Sequence, residues 1–256
     1  MIPLKGLSMG CYALCLAAST LSAQAAGQHF ESSEQRVSVV ELFTSQGCSS
    51  CPPADDWLSG LSDAPGLWRQ VIPLAFHVDY WDYLGWRDRF AAPEFSQRQR
   101  AYRHSGGLGS VYTPGVLVNG EEWRGWYWGR NIPSEERPLV GRLQLDVVTD
   151  GPATLRFTPG PAWNSDQLRA NLVILGSELE SPIGGGENGG RTLQESFVVL
   201  AHRVSVDPVA AHTWRLSWPD VEVKGGGRQA VVAWLSSGEN PTPLQAVGGW
   251  LDESTP

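Results

Sequence analysis

The chain has 256 residues, 41% of them hydrophobic and 18% charged, which suits one large folded domain or two modest ones with a sizeable core. A formal net charge of −8 argues against nucleic acid and anionic membrane surfaces as partners. Glycine (29) and proline (18) are abundant, so turns should be frequent and strand should exceed helix, and twelve tryptophans point to an aromatic surface or groove as well as a core.

The N-terminus reads as an export signal spanning residues 1–25. Lys5 supplies a positive n-region, residues 7–18 a short apolar stretch, and Ala23-Gln24-Ala25 an A-x-A cleavage site. The apolar run is short for a membrane span, although an uncleaved anchor is the alternative. Leu14 before Cys15 does not suit a lipoprotein site. Cleavage removes Cys11 and Cys15, leaving Cys48 and Cys51, and the loss of Lys5 takes the charge from −8 to −9. The expected location is periplasmic or secreted, with no membrane attachment after cleavage, where a disulfide persists.

Residues 37–44 are a β-rich apolar run and predict a buried strand. It leads through Ser45-Gln46-Gly47 to Cys48-Ser49-Ser50-Cys51. Pro52-Pro53 then open a short helix, since proline is tolerated in a first turn whose N–H groups are unpaired. Residues 71–78 predict a second strand, with Pro73 marking an irregular start or an edge. Residues 79–90 are dense in aromatics, and 93–104 predict a helix. Thr113-Pro114 precedes the strand Val116-Leu117-Val118 and Asn119-Gly120, a type I′ hairpin signal. Glu135 to Val140 form a last short helix or a linker. Beyond them, Leu143/Leu145/Val147, Leu155/Phe157 and Trp214/Leu216/Trp218 alternate, and apolar runs lie at 172–175, 197–200 and 230–235. The expected fold class is therefore an α/β thioredoxin-like domain (36–140) followed by an all-β sandwich-like domain (141–254).

A bridge between Cys48 and Cys51 closes almost no loop, so its entropic stabilisation is small and a chemical role is favoured. A two-residue spacer at a helix start puts both sulfurs in bonding reach, and the helix N-terminus favours a thiolate. Cys48 is assigned as nucleophile and Cys51 as resolving thiol. Half of a zinc site is the competing reading, but no second CxxC exists and the histidines lack ligand spacing. Beside the CxxC, Thr113-Pro114 is expected to form a cis-proline loop that binds substrate backbone. The segment His77 to Trp86 leaves the end of the second strand, where sites gather. Trp81 and Trp86 are candidates for a substrate groove, with Asp79 a possible proton partner; a packed loop with hydrogen-bonded polar tips is the plainer alternative. Arg87, Arg89, Arg98, Arg100 and Arg103 read as a solvated helix face or, less plainly, an anion-binding patch. Gly184-Gly185-Gly186-Glu187-Asn188-Gly189 matches G-x-G-x-x-G, but a strand follows it rather than a helix, so a long hairpin loop is expected and not a dinucleotide site.

Three stretches, Glu41 to Asp55, His77 to Asp82, and Tyr112-Thr113-Pro114 with Val118-Asn119-Gly120, resemble the secreted thioredoxin-like proteins called domain of unknown function 1223. Gly186-Glu187-Asn188 and Gly190-Arg191-Thr192-Leu193 resemble that family's second half more loosely, after which Phe197-Val198-Val199-Leu200 departs from an expected Asn-Val-Val-Arg. The resemblance implies a bacterial exported protein with a thioredoxin-like fold, and no substrate.

The function expected from these residues is thiol–disulfide exchange with protein or small-molecule thiols, without a cofactor or metal. The alternatives are a non-enzymatic periplasmic binding protein with an aromatic groove, or a copper-handling protein using the CxxC.

Overall fold

The computed structural model describes residues 27–133, 137–148, 151–163, 165–218, 221 and 227–252, so the expected export signal lies outside the described residues. In chain order the elements are β1 (Gly27–Glu31), β2 (Ser38–Thr44), α1 (Pro52–Ser59), β3 (Val71–His77), α2 (Pro93–Ser105), β4 (Gly115–Val118), β5 (Glu121–Glu122), β6 (Gly141–Val148), β7 (Ala153–Pro159), β8 (Leu168–Ser177), β9 (Leu179–Pro182), β10 (Thr192–Glu195), β11 (Val198–Ser205), β12 (Thr213–Leu216), β13 (Arg228–Ser237) and β14 (Asn240–Trp250).

Every residue of β2 and β3 is buried, as strands covered on both faces require. They pair in parallel from Ser38–Val71 to Thr44–His77, and β4 pairs antiparallel with β2 on its other side. Asn119 (φ 53°) and Gly120 (φ 87°) take the left-handed conformation that the tight β4–β5 hairpin needs. Pro73 lies inside β3 and β3 is not an edge strand, because β11 lies on its far side. The missing N–H is tolerated there because β11 meets β3 only at Val198–Ala75, where Ala75 N–H donates to the Phe197 carbonyl (2.8 Å).

The expected fold class is not what the chain forms. Strand predominates, the α-helices among the described residues are α1 and α2 alone, and the strands of the second half do not make a separate sandwich. One mixed sheet of eight strands runs β14-β13-β8-β11-β3-β2-β4-β5, so β8, β11, β13 and β14 extend the sheet begun by β2–β5. A four-stranded antiparallel sheet, β1-β6-β7-β12, packs on one end of it, and β1 joins that sheet from the other end of the sequence by pairing with β6. The continuous apolar runs explain the layering. Val173 and Leu175 of β8 and Ala230, Val232 and Trp234 of β13 enter the core beneath the helices. Their neighbours Leu172, Ile174, Val231, Ala233 and Leu235 enter a second core against Leu143, Leu145, Leu155 and Trp214 of the smaller sheet. A strand buried on both faces loses its polar alternation, and periodicity then cannot say which sheet it joins. The short helix considered from Glu135 starts outside the described residues.

The arginine run is also divided by the fold. Arg87, Arg89, Arg100 and Arg103 are exposed, but Arg98 is not on a solvated face. Its Nε donates to Glu41 Oε2 (2.6 Å), both side chains being nearly closed to solvent, and its guanidinium lies over Phe76, Tyr102 and Trp234. This pair, with Tyr102 hydroxyl on Glu41, pins α2 to β2.

Candidate functional site at the Cys48–Cys51 turn

Strand β2 ends at Thr44, and Ser45-Gln46-Gly47 carry the chain over the sheet edge into the dithiol turn. Cys48 and Cys51 form a disulfide with Cα atoms 5.5 Å apart. Cys51 N–H donates to the Cys48 carbonyl (3.2 Å), and Cys51 is the N-cap of α1, with Pro52 and Pro53 in the first turn as expected. Neither cysteine is open to solvent: Cys48 is 1% and Cys51 0% exposed. Cys48 Sγ lies 3.3 Å from the Ser50 hydroxyl.

Thr113–Pro114 is a cis peptide. The β2–β4 ladder ends at Phe43–Gly115, so Pro114 falls beside Thr44 at the edge from which the dithiol turn leaves. Trp81 ties these pieces together. Its Nε1 donates to Thr113 Oγ1 (2.8 Å), and a Cβ placed on Gly47 would meet Trp81 Cβ at 3.0 Å. Trp86 donates from Nε1 to Gln46 Oε1 (2.9 Å). Both indoles are half-buried against the turn. The Asp79 carboxylate accepts from the Ser96 hydroxyl at the start of α2.

The polar groups beneath the turn come from distant parts of the chain. Gln46 N–H donates to Asp88 Oδ2 (2.8 Å), and its side-chain amide donates to Glu195 Oε1 (2.9 Å) and Oε2 (3.1 Å). The Ser181 hydroxyl donates to the same Glu195 carboxylate. His77 Nδ1 lies 2.7 Å from Asp88 Oδ2 in a fully buried pair. Burial opposes a charge on His77, but the Asp88 carboxylate and the hydrogen bond to it outweigh that and raise the imidazole to about 9. Burial likewise opposes the Asp88 charge, and His77 with the Gln46 and Phe90 N–H groups holds it below the ordinary range. Asp55 follows Cys51 by one helical turn, its N–H donating to the Cys51 carbonyl (3.1 Å). The Thr44 hydroxyl donates to Asp55 Oδ2 (3.0 Å). Burial pushes the Asp55 carboxyl up to about 7, against the opposing pull of His77. Asp55 also borders a crevice of about 150 Å³ between α1 and β10, which gives it a route to solvent.

Sequence reasoning picked the cysteines, the cis-proline loop and the two tryptophans, and the turn collects all of them. It gave no site role to Asp55, Asp88, Gln46 or Glu195, and it read the loop carrying Glu187 and Asn188 as a long hairpin loop, which β9 and β10 form, without placing it at the turn. Asp55 carried one signal, its place four residues after Cys51 on a helix; Glu195 carried none, being 149 residues from its partner Gln46. Among the described residues no cluster of His, Cys, Asp and Glu is arranged to hold a metal ion.

Residues 39–236 match the family described as "Protein of unknown function (DUF1223)", and the chain belongs to that family. No curated protein matches it. Among solved structures it is similar to a structural-genomics protein from Agrobacterium tumefaciens (25% identity, 85% of this chain and 96% of that one, TM-score 0.50). It is also similar in fold to HBP35 of Porphyromonas gingivalis (17% identity, 88% of this chain and 78% of that one, TM-score 0.56).

Proposed function

We propose that this member of the DUF1223 family is an exported thiol–disulfide oxidoreductase acting through Cys48 and Cys51. The observation that carries the reading is a disulfide of sequence separation 3 at the start of α1, set over a buried group of titratable side chains. A bond across so short a loop adds little stability. A purely structural clip has no use for a half-buried carboxyl raised to about 7 one helical turn from Cys51, whereas exchange chemistry has.

In the oxidising direction, a substrate thiolate attacks Cys48 Sγ. The Cys48–Cys51 bond breaks and its electron pair leaves on Cys51. Cys51 is closed to solvent, so its thiolate needs a proton from inside the protein. Asp55, one turn along α1 and half-protonated near pH 7, supplies it, replacing Asp79 as the proton partner. A second substrate thiol then attacks the mixed disulfide and releases Cys48. The second thiol's proton goes to Cys48, and Asp55 regains from solvent the proton that the first substrate thiol released there, so two substrate thiols become a disulfide and the protein's disulfide becomes two thiols. Trp81, hydrogen-bonded to Thr113, forms the wall along which a substrate lies, beside the cis-proline loop.

Incubation with the neutral disulfide of 2-mercaptoethanol tests the assignment. Cys51→Ser should accumulate a mixed disulfide at Cys48, seen as a mass gain, while Cys48→Ser should trap little. Equal trapping would remove the division of roles, and absence of trapping in both would remove the exchange reading.

A further inference from the structure

The loop between β9 and β10, residues 183–191, lies directly on the dithiol turn although some 140 residues separate them in sequence. Asn188 is itself buried, and its Nδ2 donates to the carbonyls of Gln46 (2.9 Å) and Cys48 (3.0 Å). Its Oδ1 accepts from Arg191 (2.8 Å), so the amide is fully engaged. Glu187 Oε2 accepts from the N–H of Ser49, between the two cysteines (3.0 Å). The glycines allow this approach: a Cβ on Gly185 would stand 2.6 Å from the Gly85 carbonyl oxygen, and one on Gly184 3.0 Å from the Trp86 ring. In this arrangement Cys48 is 1% exposed, and attack requires approach along the S–S axis, so an external thiol reaches the bond only when the cover over the turn moves. Glu187 is exposed and held ionised by its hydrogen bonds to Ser49, so a fixed negative charge stands at the mouth of the turn.

We propose that Glu187 and Asn188 gate and select at the dithiol: they hold the 183–191 loop over the Cys48–Cys51 bond, and the Glu187 carboxylate disfavours thiols carrying negative charge near the sulfur. This rests on the exchange reading for its biological use, but access to the bond is measurable without it. Neutral and basic polypeptide thiols are the favoured class, and glutathione, a peptide with free carboxylates, is disfavoured. Asn188 is a positioning residue, because it acts on the Cys48 backbone and not on the sulfur.

The test is the rate of reduction of the full mature protein by dithiothreitol, which is neutral, and by glutathione, followed by quenching and mass spectrometry. Glu187→Ala and Asn188→Ala each remove hydrogen bonds that hold the loop, and should speed reduction by dithiothreitol roughly three- to tenfold. Glu187→Gln keeps an oxygen for the Ser49 N–H but loses the charge. It should raise the ratio of the glutathione rate to the dithiothreitol rate about two- to threefold at low salt, and the gain should fade as salt is added. Glu187 is a surface side chain, so its variants keep the fold, and a thermal melt of Asn188→Ala separates loop release from general unfolding. Unchanged dithiothreitol rates in Glu187→Ala and Asn188→Ala would overturn the cover, and an unchanged ratio in Glu187→Gln would overturn the charge selection. Neither result depends on trapping in Cys51→Ser, so failure of the exchange reading leaves its own signature.

Discussion

On one face of the eight-stranded sheet, Leu172, Ile174, Val231, Ala233 and Leu235 meet Leu143, Leu145, Leu155 and Trp214 in a core made of hydrophobic side chains. On the other face, Val173, Leu175, Val232 and Trp234 share the interior with Glu41, Arg98, His77, Asp88 and Glu195. The same strands β8 and β13 serve both, with alternate residues. The first face gains stability from burial and shape. The second spends some of that on paired charges, because removing a carboxylate or a guanidinium from water costs several kcal/mol unless each is matched. The dithiol turn sits on the second face, where proton-bearing groups can be held near the sulfurs.

This contrast breaks first at Trp214. Trp214→Ala should cost about 3–5 kcal/mol in a urea unfolding titration while the native protein keeps its rate of disulfide reduction. A parallel loss of reactivity would mean that the two faces are not separable.

The buried ion pair gives the next effect. Glu41→Ala leaves Arg98 enclosed without its carboxylate and should cost about 3 kcal/mol. Glu41→Ala with Arg98→Met should recover part of that loss, and absence of recovery would show the cost to be packing alone.

The pH dependence of stability sharpens the comparison further. His77 is raised from 6.5 to about 9 in the folded protein, so the native state binds the extra proton between those values. Its contribution, roughly 3 kcal/mol, is complete below pH 6.5 and lost as pH rises through about 9. Asp55, raised to about 7, has the same sign over a lower window: folding weakens as pH climbs from about 4 to 7. Thermal melts across pH 5–10 should fall on the alkaline side, and His77→Gln should flatten that limb. A limb unchanged in His77→Gln would place the titration elsewhere.

The smallest effect is kinetic. Asp55→Asn should slow reduction about tenfold at pH 6, or about 1.4 kcal/mol in barrier. The deficit should close as pH passes 7, where the wild-type carboxyl has also lost its proton. A deficit constant with pH would mark Asp55 as structural.

The local elements were legible because their causes are local. Pro52-Pro53 permits a helix start and nothing earlier, and Asn119-Gly120 supplies two residues that tolerate positive φ where the hairpin turns. The run Leu172–Leu175 announced a strand buried on both sides. It could not announce its neighbours, and so β8 and β13 were read into a separate sandwich when they belong to the sheet of β2 and β3. The five arginines near α2 looked alike in sequence, yet only the fold sets Arg98 against Glu41 on β2, 57 residues away.

By itself the sequence placed the strands at 37–44 and 71–78 and the helices opened by Pro52 and Pro93, and showed that Cys48 and Cys51 stand at a strand-to-helix turn and that Thr113-Pro114 lies near a tight hairpin. These follow from backbone constraints that act within a few residues. Sheet order, the two faces of β8 and β13, the enclosure of His77 and Asp88, and the laying of Glu187 and Asn188 on the turn were decided by tertiary structure. Each depends on burying apolar area and matching buried polar groups between segments far apart in the chain, and those energies exist only once the segments meet.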